Sequence, residues 1–137
     1  MIPIKLNNER VPGKNIKKFF DGTPLMALIQ KTCLGAVSLN EVYVYCGNPE
    51  VQKNVVNGVR YLQRPDCLDS DEVNCNDIIR EFMKSVSADV YVVSHATSPF
   101  TRSGSIDICV QKVVSGEFDS RLSRKKYRSF CGKTERQ

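Results

Sequence analysis

Short β-branched and aromatic runs alternate with stretches of helical spacing along this chain, and that alternation leaves few folds open. Residues 2–5 read as a first strand, 41–46 (EVYVYC) as a second, 58–62 as a third and 89–93 (DVYVV) as a fourth. The fourth run is nearly continuous in apolar character, as a strand covered on both faces of a parallel sheet requires. Between the runs, Leu25, Leu28, Ile29, Thr32, Cys33 and Ala36 recur at helical spacing behind Pro24, a residue suited to a first helical turn. A short helix is expected over 49–57. Ile78, Ile79, Phe82, Met83 and Val86 mark the apolar face of another helix, capped by Asp71 or Asn74. Ile106, Cys109, Val110 and Val113 mark a last one over 105–114. Strands that alternate with helices form right-handed βαβ units, so the expected fold is α/β: a mostly parallel sheet with flanking helices.

Such sheets bind ligands at the carboxyl ends of their strands. Two polar loops fall there, residues 6–23 after the first strand and 94–104 after the fourth. Lys5 and the first loop bring Arg10, Lys14, Lys17 and Lys18 together with Asn7, Asn8 and Asn15. Cations beside amide donors suit a phosphate cradle. A solvated basic loop accounts for the same composition. The loop carries neither G-x-x-x-x-G-K-[ST] nor G-x-G-x-x-G.

Net charge adds less than its size suggests. The 137 residues carry 20 Lys and Arg against 15 Asp and Glu, a formal +5. Residues 121–137 hold seven of the basic side chains and one acidic one, which leaves 13 basic and 14 acidic for the rest. The body of the chain is therefore not basic. No apolar run approaches the ~18 residues of a membrane span, and MIPIKLNNER does not read as a signal peptide. The six cysteines include no CxxC pair and only one histidine accompanies them, so zinc-site spacing is absent. Cysteines placed in apolar stretches point to a reducing cytoplasm.

The order of residues in the loops says more. The string IPIKLNNERVPGKNIKKFFDGTPLM resembles the signature of the sialic-acid-type (acylneuraminate) cytidylyltransferases, I-P-A-R-x-G-S-x-G-I-P-x-K-N followed by a G-x-P-L turn. Ile2, Pro3, Val11, Pro12, Gly13, Lys14, Asn15, Gly22, Pro24 and Leu25 fall in matching order. Lys5 stands where the family usually has Arg, Asn7-Asn8 replace Gly-Ser, and Arg10 replaces Gly. The charge is kept there and the backbone freedom of glycine is lost. RPDCLDSD resembles R-P-x-x-L-A-x-D, with Arg64 and Asp71 on matched positions. HATSPFTR resembles the Q-P-T-S-P-L-R loop, with Thr97, Ser98, Pro99 and Arg102 aligned and His95 in place of Gln. Taken alone, Arg64-Pro65 reads as an exposed loop and His95 as an exposed histidine.

The resemblance implies a Rossmann-like nucleotide-diphospho-sugar transferase fold, incomplete at its C-terminus. It also implies a reaction in which a sugar-acid hydroxyl attacks the α-phosphate of CTP and pyrophosphate leaves. Lys5, Arg10 and Lys14 would carry the phosphate charge as catalytic groups. Asn7, Asn8, Asn15, Arg64 and Asp71 would hold the nucleotide, and His95, Thr97, Ser98 and Arg102 the sugar. The implied partners are CTP and an acidic nine-carbon sugar, with no nucleic acid and no membrane; full-length relatives dimerise. Mg²⁺ is the implied cofactor, with its ligands unassigned, because the family's Asp-x-Asp metal pair has no counterpart here.

The resemblance stops after Asp119-Ser120. There the family continues into F/L-W-K-D-G-K-P and a further domain-sized stretch. Read from the third base of each codon, KKYRSFCGKTE can encode KIQEFLWKDG, which resembles that segment. The expected organisation is thus a nucleotide-binding part over 1–120 and a basic, out-of-frame, poorly ordered tail over 121–137. Poor solubility and little or no synthetase activity follow from that expectation. Three alternatives stay open. The first is a 3-deoxy-manno-octulosonate cytidylyltransferase, whose loop usually reads K-P where this chain has Lys14-Asn15. The second is a catalytically dead nucleotide-binding module. The third is nucleic-acid binding by the tail, where Tyr127 and Phe130 are the aromatic residues.

Overall fold

The computed structural model describes residues 1–7, 11–70 and 72–121. The positions Asn8, Arg10 and Asp71, and the expected tail beyond Arg121, lie outside the described residues. The chain forms β1 (Ile2–Pro3), α1 (Leu25–Leu34), β2 (Tyr43–Cys46), β3 (Arg60–Gln63), α2 (Cys75–Ser85) and α3 (Ser103–Val114). Three strands pair in parallel in the order β1-β2-β3, with Ile2 opposite Val44 and Tyr43 opposite Arg60. The α/β fold with a parallel sheet and flanking helices is the one expected.

The sheet is covered on both faces. Ile2, Ile4, Val44 and Cys46 form one core with Met26, Ile29 and Cys33 of α1 and Ile106 and Val110 of α3. On the other face Tyr45 lies 5.3 Å from Phe82 of α2 in an edge-to-face pair, and Tyr43 lies 5.5 Å from the same ring. Alternation along YVYC thus sends successive side chains into two separate layers. The α1 face is rotated from the expected one: Met26, Ala27 and Gln30 are buried beside Ile29 and Cys33, while Leu25 and Leu28 are half-buried. Pro24 sits one residue before the helix, as its N-cap. In α2, Asn74 is the capping residue and accepts from the Asp77 amide at 3.1 Å. Met83, placed on the apolar face by its spacing, is exposed.

Two expected elements differ. Residues 49–57 form only a 3-10 turn over Pro49–Asn54. The fourth strand, 89–93, is not part of the sheet ladder. It lies alongside β1 all the same: the Met1 amine donates to the Val92 carbonyl at 2.7 Å and the Ser94 amide to the Met1 carbonyl at 3.0 Å. That is the bond pattern of a parallel pair. β1 offers it only Met1, and among the described residues no strand flanks its other side. A run with so little ladder keeps the direction of a strand without its regular geometry. Among the described residues, no helix is long and apolar enough to cross a membrane.

Candidate functional site

The strand ends Ile4-Lys5, Cys46-Gly47 and Gln63-Arg64 share one edge of the sheet, and two side chains are fastened to the first of them. Asn15 donates through Nδ2 to the Lys5 carbonyl at 2.9 Å, and Arg64 donates through Nη2 to the Ile4 carbonyl at 3.0 Å. Asn15 arrives there because Gly13, at φ 63°, turns the loop into a 3-10 turn over Lys14–Ile16. That left-handed conformation suits glycine. Ile16 then packs against the core while Lys14 stays half-buried beside the strand end. Asp21, Gly22 and Thr23 close the loop as a hairpin, with Phe19 donating to the Thr23 carbonyl at 2.9 Å. The backbone amide of Thr23 holds the Asp21 carboxyl below its ordinary value.

Arg64 is only 2% exposed and lies over the Tyr45 ring, 5.8 Å from guanidinium to centroid. Its second partner is Asp69, whose carboxylate forms an ion pair with Nη2. An arginine so enclosed and neutralised positions the strand end; it does not offer a solvent-facing charge to phosphate. The cationic side chains of this edge are those of Lys5 and Lys14, both half-buried. Asn7 is exposed at the start of the loop.

Among the described residues, two buried polar atoms at this edge have no hydrogen-bond partner: Oδ1 of Asn15 and Nε of Arg64. Unpaired buried polar atoms are costly and call for an explanation. Here one acceptor and one donor stand unpaired on side chains fastened to consecutive carbonyls, Lys5 and Ile4. Asp69 was not among the residues singled out by sequence. Its only signal there is an aspartate where the resembled R-P-x-x-L-A-x-D motif has alanine.

The loop 94–104 leaves the sheet at the same edge, since its preceding segment runs parallel to β1. Ser94 and Ala96 are buried, whereas His95, Thr97 and Ser98 are exposed. The Ser98 amide donates to the His95 carbonyl at 2.9 Å, which curls the loop back on itself. Arg102 is exposed at the N-cap of α3. The described geometry fastens none of these four side chains to Lys5, Lys14 or Arg64.

Two cavities flank the 89–95 segment instead of the Lys5 edge. One, of about 460 Å³, lies among Tyr43, Phe82, Tyr91 and Val110. The other, of about 580 Å³, includes His95, Ser98 and Cys109. Among the described residues, no three His, Cys, Asp or Glu side chains come together as a metal cage.

A parallel α/β sheet with a polar, cation-bearing edge at the carboxyl ends of its strands is a Rossmann-like arrangement. The family model for cytidylyltransferases matches residues 1–132, and the chain belongs to that family. No curated protein matches it. Among solved structures it is similar to CMP:2-keto-3-deoxy-manno-octonic acid synthetase complexed with CTP, with 23% identity and a TM-score of 0.74. The likeness covers 85% of this chain and 46% of that one, so the chain spans about half the length of the structure it matches.

Proposed function

We propose that this chain carries the CTP-binding part of a cytidylyltransferase that transfers CMP to an acidic nine-carbon sugar of the sialic-acid type. In the reaction a sugar hydroxyl oxygen bonds to the α-phosphorus, the bond to the β-phosphate oxygen breaks, and pyrophosphate departs with the electron pair. Charge accumulates on the phosphate oxygens, so the chain's part is to place cations and donors around them. Lys5 and Lys14 take that role, with Arg10 beside them in sequence. Asn15 and Arg64 hold the strand exit in shape for the nucleotide, helped by Asn7, Asn8 and Asp71. His95, Thr97, Ser98 and Arg102 meet the sugar, and a bound Mg²⁺ would supply neutralising charge at the phosphates.

The observation that carries this reading is the fastening of Asn15 and Arg64 to consecutive carbonyls, with one buried polar atom on each left for a ligand. Calorimetric titration with CTP tests it. Saturable binding that weakens in K14A supports the reading, and no binding at millimolar CTP overturns it. A second reading, a 3-deoxy-manno-octulosonate acceptor, draws on the printed name of the structural neighbour. Lys14-Asn15 argues for the sialic-acid type, since proline at position 15 would lack the amide that donates to Lys5. Comparing the two sugar acids as acceptors, with the rest of the enzyme present, separates them.

A further inference from the structure

Asp69 occupies an unusual place on the carboxyl edge. Its Oδ1 forms the ion pair with Arg64, whose guanidinium is enclosed by Tyr45 and the Ile4 carbonyl. The Asp69 side chain is not enclosed: it keeps 29% exposure. Its Oδ2 lies against the backbone of Gly47, in space that a Cβ on Gly47 would fill. Gly47 follows the last residue of β2, and the Arg64 amide donates to the Cys46 carbonyl at 3.0 Å, so this carboxylate spans the ends of two strands. One of its oxygens is committed to a buried cation and the other is fixed in direction beside a strand end.

A carboxylate oxygen is an acceptor and nothing else. Pyrimidine bases of equal size differ at ring position 4: cytosine carries an amine there, a donor, and uracil carries an oxygen, an acceptor. A fixed acceptor rewards the first and opposes the second. Asn15 Oδ1 and Arg64 Nε, unpaired among the described residues, add further polar capacity at this edge. We propose that Asp69 is a specificity-determining residue of the nucleotide site, its Oδ2 accepting from the exocyclic amine of cytosine while Arg64 holds Oδ1. The proposal rests on the CTP-binding reading above and adds the group that chooses the base.

D69N is the informative variant. Its amide oxygen can remain on Arg64, so the buried guanidinium keeps an acceptor, while an NH₂ donor replaces Oδ2. Binding of CTP and UTP is measured by calorimetry on the wild-type chain and on D69N. The wild type should favour CTP roughly tenfold or more, because UTP sets an acceptor against the same fixed acceptor. In D69N that ratio should fall to about one or invert, with UTP gaining as CTP loses. A residue serving only structure would weaken both nucleotides alike and leave the ratio unchanged, which overturns the proposal. Should D69N fail to fold by circular dichroism, the wild-type chain is titrated with the 4-deamino analogue, pyrimidin-2-one ribonucleoside triphosphate. Binding at least several-fold weaker than CTP supports the proposal, and binding as tight as CTP overturns it. Loss of Asp69 selectivity with CTP binding intact leaves the broader reading standing. Absence of any nucleotide binding by the wild type overturns both.

Discussion

Gln30 and Val56 are joined inside the protein: the Val56 amide donates to Gln30 Oε1 at 2.8 Å, and the same side chain donates through Nε2 to the Asn54 carbonyl at 3.1 Å. Gln30 is wholly buried in α1, so one side chain satisfies both polar groups of the turn that feeds β3. Gln30→Leu keeps the bulk and removes both partners. Leaving a buried donor and acceptor unpaired costs about 1–3 kcal/mol each, partly relieved by water at the half-buried turn, so a total loss of about 2–4 kcal/mol is expected. Urea denaturation should show the midpoint fall with little change in slope. A loss below about 0.5 kcal/mol would contradict the role given to Gln30.

Phe82 packs α2 against the aromatic face of the sheet, pairing with the Tyr43, Tyr45 and Tyr91 rings. Phe82→Ala should cost about 3–5 kcal/mol, the usual range for emptying a buried aromatic site. Phe82→Leu should cost clearly less. Thermal melts of the two variants give the comparison.

The N-terminal amine should make stability depend on pH. Burial lowers its pKa from 8.0 to about 6 in the folded chain. The unfolded chain therefore binds more protons than the folded one between those values, and stability rises with pH across that window. Below about pH 6 the penalty for protonating the buried amine is present in full, at about 2–3 kcal/mol. Nα-acetylation removes the titrating group and should flatten this part of the profile. An unchanged slope after acetylation would show that another group is responsible.

Lys14 and Lys17 offer an internal comparison for phosphate binding. Lys14 begins the 3-10 turn and is half-buried, whereas Lys17 is exposed beyond it. A hydrogen bond to a charged group is worth about 1.5–3 kcal/mol, so Lys14→Ala should weaken CTP binding roughly tenfold or more. Lys17→Ala should change it less than about twofold. Equal effects from the two would mean that general loop charge, and not placement, draws the nucleotide.

What could be read in advance followed from periodicity. The apolar alternation of EVYVYC and the spacing through Ile106 and Val110 each record burial on a fixed face, so β2 and α3 were legible. The order Gly13-Lys14-Asn15 was legible as part of a motif, while the 3-10 turn it forms over Lys14–Ile16 was not. Gln30 was not, because a buried glutamine satisfied by a distant turn looks like any polar helix residue until the turn is brought to it. Residues 89–93 misled in the opposite direction. Their composition fits a buried strand, but regular strand geometry also needs neighbours, and Met1 supplies the ladder bonds on one side. Arg64 was found by its motif, while its neutralisation by Asp69 depends on a fold-back over five residues that no pattern encodes.

The bond between Met1 and residues 92 and 94 bears on how the chain folds. Met1 waits for a segment 91 residues further along the chain before its backbone is satisfied, and β1 sits between that segment and β2. Such distant pairings must close long stretches of chain before they yield any contact energy, which slows folding. During synthesis, the apolar opening of the chain is therefore exposed until residue 94 has left the ribosome, an interval in which aggregation competes with folding.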